Sequence, residues 1–514
     1  MSLTLEHPKV HPSSLLLIFL CLVFVQSVTA QPGFNMHIDA EGPSRRANNI
    51  INHNDTLYFS GPQRELGGLQ DIFFASADSN GQLLFLETVS DTGSSHLAMD
   101  RTATITRNRN GNFLVVGTPI SRPGNLLFKF SSFGELLWRQ EYFPPSGVNT
   151  TFVRRLIELK DGYMIGATYS FSGSNSRRMA VIRTDREGNE LWRKVYGDSQ
   201  IRQFLVEMIV LENGNILLSG GNSSLILNPL EATWSQSQFY IIDTAGNVLD
   251  SWQSEIDQES TVVSLNEVED GFIYATYHRE YIPQKRIVIR RPRLVRRKWD
   301  FSEVWRLEVS NMPADHFFRQ IYHLADGNHL AVGTVFFPGE EDRSCVFKFT
   351  PDGEILWTTC TRVPGYGHES NSYELVGVTE LSSGSIVVSG THDRPGDPRK
   401  NIAWLVKMDA DGCITDSLCL PVSVTEEVSL TTGLSTYPNP ATDRVTFELT
   451  GSGGDKPVSI GIHDAMGRSL HRHSWEPGSD QYEWDATAFS PGIYFYRLQF
   501  ENGEMISGKV ILLR

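Results

Sequence analysis

The sequence predicts an all-β chain: a seven-bladed β-propeller with four-stranded antiparallel blades, followed by a small C-terminal β-sandwich. Three observations carry this expectation. A turn followed by a strand that ends on a large aromatic recurs as SSFGELLW (131–138), DREGNELW (185–192) and TPDGEILW (350–357). A second phrase, a turn and then an apolar strand ending in a small residue, alternates with the first. Glycine, at 43 of 514 residues, suits a turn-dense chain, and 11% aromatics supply bulky strand formers.

Residues 1–30 read as a signal peptide, outside the fold. The apolar run SSLLLIFLCLVFVQ (13–26) has the length of an h-region, and VTA (28–30) fits a small-residue cleavage site. The run is short for a membrane span, and no other stretch could cross a bilayer. Cys21 follows Leu20 rather than a small residue, so it belongs to the apolar run and not to a lipoprotein site.

The body, 31–421, carries the repeat. Turn glycines of the apolar phrase stand at Gly111, Gly162, Gly214, Gly271, Gly327 and Gly384, spaced 51 to 57 apart, and NHNDTLYFSG (52–61) is a worn copy ahead of them. A copy of the aromatic phrase follows each one, degraded in LVRRKWDFSEVW (294–305). An apolar strand such as FVRRLIEL (152–159) opens the unit, so each unit holds two hairpins. A thin four-stranded sheet cannot bury both faces alone, whereas stacking around an axis lets neighbours cover one another. Trp138, Trp192, Trp305 and Trp357, with Phe85 in the same slot, are expected to wedge between blades. Each buried ring is worth roughly 2–3 kcal/mol. The last blade takes its fourth strand either from CITDSLC (413–419) or from FNMHI (34–38), which would lock the first blade to the last.

Beyond the leader, four cysteines remain, and an even count in an exported chain favours disulfides over buried thiols or metal ligands. Cys345 and Cys360 lie symmetrically about one hairpin turn and could face each other across two strands, while Cys413 and Cys419 close a short step after Asp411-Gly412.

A polar linker, 422–435, leads to short alternating strands between Gly and Pro turns over 436–514, the pattern of a small sandwich. Four segments make this tail specific: Tyr437-Pro438-Asn439-Pro440, Asp464-Ala465-Met466-Gly467-Arg468, Pro491-Gly492-Ile493-Tyr494 and the closing Lys509-Val510-Ile511-Leu512-Leu513. In order and spacing they resemble the type A C-terminal sorting domain of type IX secretion substrates of Bacteroidota. The resemblance covers roughly 80 residues. It implies a sandwich that addresses the chain to the outer-membrane translocon, by way of the periplasm, and that a processing peptidase removes. The body is then released or linked to surface lipopolysaccharide. More loosely, the body is similar to secreted Asp-Gly…Trp repeat proteins of the same group, a likeness that names no ligand.

The formal net charge of −15 argues against nucleic acid as a partner, because phosphate binding needs a positive field. There is no HExxH, no GxSxG and no phosphate-cradling glycine loop. DADG (409–412) has a carboxylate spacing that hints at calcium, but it lacks the third ligand position and the distal Glu of a calcium loop and reads as a turn. No cofactor or metal is therefore expected. Propellers bind ligands where the loops entering the innermost strands converge. Those loops bring His96, Asn149, Asp198, Arg202, Asp315, His316, His368 and Glu369 to one face. A histidine beside carboxylates could titrate, ligate a metal or grip a sugar, or these residues simply cap strands. A basic cluster, Lys285, Arg286, Arg290, Arg291, Arg293, Arg296, Arg297 and Lys298, falls in the degraded unit. It could dock an acidic polysaccharide or lipopolysaccharide, or be two exposed strand faces with a basic loop. The expectation is an exported protein that binds a surface glycan or protein without catalysis. A propeller hydrolase or lyase acting on an extracellular polymer is the alternative.

Overall fold

The computed structural model describes residues 33–38, 42–65, 68, 70–91, 97–99, 105–173, 176–223, 235–256, 259–282, 287–309, 315–336, 343–361, 373–394, 397–414, 433–450, 456–464, 469–476, 478–500 and 505–513. Every regular element among them is a β-strand. The segment expected as a signal peptide, with Cys21, lies outside the described residues.

Within 35–408 the strands form antiparallel meanders, labelled here sheets A to G in chain order. Their innermost strands are Asn49–His53, Ile105–Arg107, Val148–Leu159, Arg202–Val210, Ser264–Val268, Asp315–His323 and Tyr373–Glu380. Sheets A and B have a divided inner edge, in which Ser44–Arg45 and Leu97–Ala98 pair beside the main strand. Sheets C and D touch through one parallel pair, Arg177 with Arg202. Sheet G takes its outermost strand from the other end of the body: Asn35–Ile38 pairs antiparallel with Asp397–Met408. Of the two expected closing strands, FNMHI is therefore the one used. The degraded unit is intact as sheet E, where Ile287–Lys298 pairs with Glu303–Glu308.

Burial explains the two phrases. The apolar phrase is the second strand of its sheet, and in Phe113–Pro119 every residue is buried, because both faces are covered. The aromatic phrase runs into the outer edge, where Leu136–Tyr142 starts exposed and carries charged residues that discourage edge pairing. Core clusters lie between consecutive sheets. Leu205 and Leu218 of D pack with Met164 and Val181 of C. Val387 and Leu405 of G pack with Phe59 and Phe73 of A. Each innermost strand lies against that of the next sheet, and Tyr373–Glu380 of G lies against Asn49–His53 of A.

The aromatic slot seats each sheet on the next. Phe85 lies against the turn of Gly134, Trp138 against Gly188, Trp192 against Gly246, Trp305 against Gly353 and Trp357 against Gly412. Phe34, just before the Asn35–Ile38 strand, lies against Gly81 of sheet A. In sheet E the turn has Phe301 at φ 62° in place of glycine, and its ring stacks on Trp252 at 5.8 Å between centroids. The expected wedges are thus real, and they explain why the turn so often ends on glycine. At Gly246 (φ +77°) a Cβ would come within 2.6 Å of the Trp192 ring. An Asp three residues before the glycine supplies the turn's own hydrogen bonds: the Asp409 carboxylate accepts the N–H groups of Asp411 (3.0 Å) and Cys413 (2.8 Å).

A second inter-sheet device recurs at the same end of the strands, beside the turn that follows the innermost strand. A carboxylate near the end of an innermost strand accepts a backbone N–H from the preceding sheet's turn. Glu158 accepts from Arg109, Glu267 from Glu212 and Glu380 from Ala325, at 3.0, 3.2 and 2.8 Å. Asp55 of sheet A accepts from Ser382 of sheet G at 2.8 Å.

Cys345 and Cys360 form a disulfide at directly opposed positions of sheet F, as their symmetry about the turn suggested. Cys413 is also disulfide-bonded, while Cys419 lies outside the described residues.

The tail has two sheets, one of Gly433–Tyr437, Arg444–Thr450 and Gln481–Asp485, the other of Pro457–His463, Ser469–Ser474, Gly492–Phe500 and Met505–Leu512. Phe447 and Trp484 of the first share a core with Ile460, Tyr496 and Leu498 of the second. Its first strand starts at Gly433, slightly inside the segment expected as linker, because Leu434 is already packed against that core.

Candidate functional site

The entry end of the innermost strands holds a cavity of about 510 Å³. Three arginines from three different sheets line it: Arg46 before the main inner strand of A, Arg154 in C and Arg319 in F. Phe152 and Met99 add apolar wall. The lining among the described residues contains no carboxylate and no imidazole.

Local backbone geometry places these arginines. The register of Val148–Leu159 slips between Val153 and Arg155, and that of Asp315–His323 between Phe318 and Gln320. Arg154 and Arg319 are therefore the extra residues of β-bulges, which take no place in the ladder and re-aim a side chain. The charged surroundings are mixed. Arg319 pairs with Glu374. Arg46 acts on Asp393, whose carboxyl is raised by burial and eased back by that charge. Burial and the nearby charges of Arg202 and Arg154 depress Arg177. Next to the cavity, Arg319 and Arg290 each lie over the Phe317 ring, at 4.0 and 4.4 Å from its centroid.

The expected mouth residues are only partly gathered here. Asn149 is exposed at a second bulge beside Thr150, which lines the cavity. Arg202 joins this neighbourhood through Arg177. Asp198 lines a different cavity, of about 670 Å³, shared with Gln203, Gln236 and Gln253. There it organises its own turn, with its carboxylate accepting the Gln200 N–H at 2.8 Å. Asp315 and His316 are described only as backbone of the inner strand of F. His96, His368 and Glu369 lie outside the described residues. Arg46, Arg154 and Arg319 were not among the residues singled out from the sequence. Their signal was present: Arg154 and Arg319 each stand eight residues before a turn glycine (154 to 162, 319 to 327).

The basic cluster does not form one surface. It lies on a single long strand, Ile287–Lys298, and the period of two sends consecutive arginines to opposite faces. Arg290 reaches Phe317. Arg293 pairs with Glu308, Arg296 with Asp270 at 2.9 Å, and Arg297 is buried against Glu259 at 2.8 Å and Glu303 at 3.0 Å. Lys298 is exposed, Arg291 is half-buried, and Lys285 and Arg286 lie outside the described residues.

In the tail, the Asn439 amide is stitched to the last strand. Its Nδ2 donates to the Lys509 carbonyl at 2.9 Å and its Oδ1 accepts the Ile511 N–H at 2.9 Å. The bonds at Tyr437-Pro438 and Asn439-Pro440 are both cis. The first expected segment is thus bonded to the last. Gly492 opens the strand that pairs with it, and Gly467 lies outside the described residues. Residues 435–513 match the family described as secretion system C-terminal sorting domain. The protein is exported by type IX secretion. It is secreted or held at the cell surface. Comparison with curated proteins gives no match. Among solved structures, a puromycin hydrolase is similar at 13% identity, covering 80% of this chain and 61% of its own, with a TM-score of 0.43. The β-propeller domain of the Trilobed protease from Pyrococcus furiosus is similar at 8% identity, covering 75% and 99%, with a TM-score of 0.41. A protein of unknown function from Dyadobacter fermentans gives 11%, 74%, 98% and 0.40 in the same terms. The chain spans about three-fifths of the hydrolase's length. None of the three bears on what this chain binds or does. Among the described residues no helix is long and apolar enough to cross a membrane.

Proposed function

We propose that this is an exported seven-bladed propeller that acts by non-catalytic binding at the mouth of a closed ring, with a C-terminal tail serving as its sorting signal. Support for the ring comes from the cycle of inner-strand contacts, from the Phe34–Gly81 wedge and from the Asp55–Ser382 latch, which join last sheet to first. The observation that carries the binding reading is the cavity to which three sheets each contribute an arginine. Arginine keeps its charge at any ordinary pH, so it holds a ligand well and exchanges protons poorly. The tail would engage the type IX translocon and be removed by its peptidase, leaving the body released or attached to the surface.

Incubating the purified body with extracellular polysaccharides and proteins tests the reading. Saturable binding without new reducing ends or peptides is expected. Catalytic release of product would replace it with the hydrolase or lyase reading. Mass spectrometry of protein from medium and outer membrane tests the tail: a body ending before about residue 435 is expected, and an intact tail on mature surface protein would refute its role as a removable signal.

A further inference from the structure

We propose that the cavity of about 670 Å³ beside Gln203, Gln238 and Gln253 of sheet D is a site for a neutral sugar residue. It shares no described lining residue with the arginine-lined cavity, so it is a second site, beyond the mouth.

The first ground is an exception within the repeat. The third strand of sheet D, Ser235–Ile242, opens on four buried polar residues, Ser-Gln-Ser-Gln. Gln238 stands eight residues before its turn glycine (238 to 246). The same register holds Phe73, Leu126, Ala180, Cys345 and Trp404 in sheets A, B, C, F and G, all at 0% exposure. Sheet E, with Phe301 in place of the glycine, has Arg293 there, bound by Glu308. The fold at this position therefore accepts an apolar residue, and sheet D spends it on an amide.

The second ground is placement. Asn222 pairs with Gln236, Gln253 with Gln238 and Ser251 with Tyr240. Directly opposed residues share a face, so these six side chains form one polar surface across three strands. It is the face turned to sheet C, because Tyr240 packs with Tyr196 at 6.1 Å between ring centroids. The Trp252 ring lies on the other face, stacked on Phe301. Gln203 and Asp198, from the connection that enters sheet D, close the cavity from the side.

The third ground is the state of the polar groups. The cluster organises itself: Gln203 Nε2 donates to the Tyr240 hydroxyl at 3.3 Å, and Asn222 Nδ2 donates to Gln238 Oε1 at 2.8 Å and Gln253 Oε1 at 3.2 Å. It does not saturate itself. Asn222 Oδ1 is buried with no partner. Among the described residues, nothing accepts from the Gln253 amide nitrogen, and nothing donates to the Gln236 side-chain oxygen. Donors and acceptors thus stand side by side without a cation. That suits hydroxyl groups, which donate and accept at once. The one charged lining residue described is Asp198, which opposes an anionic ligand. The volume lies within the range of small-molecule sites.

Saturation-transfer NMR of the full chain tests this. The probes are the methyl glycosides of glucose, galactose, mannose and N-acetylglucosamine, with glucuronate as the charged comparison. Binding of at least one neutral glycoside, weaker binding of glucuronate and indifference to added salt are expected. Gln238→Leu installs the residue that sheet B carries at this register, so it should fold and weaken binding about tenfold or more. Gln253→Ala and Ser251→Ala, both on the exposed outer strand, should also weaken it and carry the test if Gln238→Leu does not fold. Arg186→Gln, on an exposed turn, should not. Failure of all four glycosides to bind at millimolar concentration, or binding indifferent to Gln238 and Gln253, overturns the proposal, as does glucuronate binding as well as they do. Polysaccharide capture undiminished by Gln238→Leu would overturn this site and leave the mouth reading intact. Glycoside binding lost in Gln238→Leu, with polymer turned over at the mouth, would do the reverse.

Discussion

At the scale of residues, the turn glycines and the buried histidines make the clearest demands. Gly246 has a positive φ and sits under Trp192, whereas Gly147 has φ +88° with nothing within 4 Å of a Cβ. Gly147→Ala should cost only the left-handed conformation, about 1 kcal/mol. Gly246→Ala must also shift a tryptophan and should cost about 2–4 kcal/mol. Urea unfolding of the two variants compares them directly, and equal losses would mean that the ring does not constrain the turn. The glycine was legible as turn chemistry, but its second purpose, leaving room for the aromatic of the preceding sheet, was visible only as a coincidence of spacing.

His329 is fully buried, stacked on Phe349 at 5.4 Å, and burial, then the charges of His323 and Arg296, lowers its pKa to about 4. The folded state therefore keeps it neutral at pH values where the unfolded chain, near 6.5, takes up a proton. Its stabilising contribution is full above the unfolded value and is lost as pH falls toward the folded one. It amounts to about 2–3 kcal/mol. His37, lowered to about 4 by burial and His392, acts in the same direction. Unfolding free energy should be smaller at about pH 4.5 than at about pH 7, and His329→Gln should flatten that slope. An unchanged slope would remove the histidine from the account.

At the scale of elements, each sheet is held by strand register and a few fixed links. Cys345 and Cys360 close a loop of 15 residues, so Cys345→Ser with Cys360→Ser should lower stability by about 3 kcal/mol, read as a shift in calorimetric unfolding. A fall at least as large is expected on adding reductant to the wild-type chain, which also opens the disulfide of Cys413. No response to either would mean that the hairpin gains nothing from the bridge. This pair was readable because equal distances from a turn put residues opposite each other. The bulges were not readable, because nothing in FVRRLIEL says which residue leaves the ladder. That decision belongs to the packing of neighbouring sheets, and it is what turns Arg154 and Arg319 toward the cavity. The basic run misled in the opposite way: eight cations close in sequence are divided by strand alternation, and most of those described meet carboxylates or a ring.

At the scale of the whole molecule, the first strand matters out of proportion to its length. Asn35–Ile38 covers the outer edge of sheet G, while Ile38 is buried between G and A and Phe34 wedges on Gly81. Deleting residues 33–38 uncovers Asp397–Met408 and removes several kcal/mol of apolar burial. The shortened chain should unfold at lower temperature and self-associate in size-exclusion chromatography. An unaltered melting temperature and monomer would sink the proposed closure. Either candidate strand could have completed the last sheet by pattern alone, because short apolar segments are interchangeable on an edge until their partners are known.

From the sequence alone came the all-strand character, the repeating unit, the aromatic wedge, one disulfide and the exported tail. All of these depend on neighbours within one unit, or on a local signature, and are written in periodicity and turn chemistry. Tertiary structure alone decided which strand completes the last sheet, which carboxylates latch one sheet to the next, and which arginines share a cavity. Those contacts join residues from different units, whose distance and direction depend on how the sheets stack, and no spacing along the chain records that.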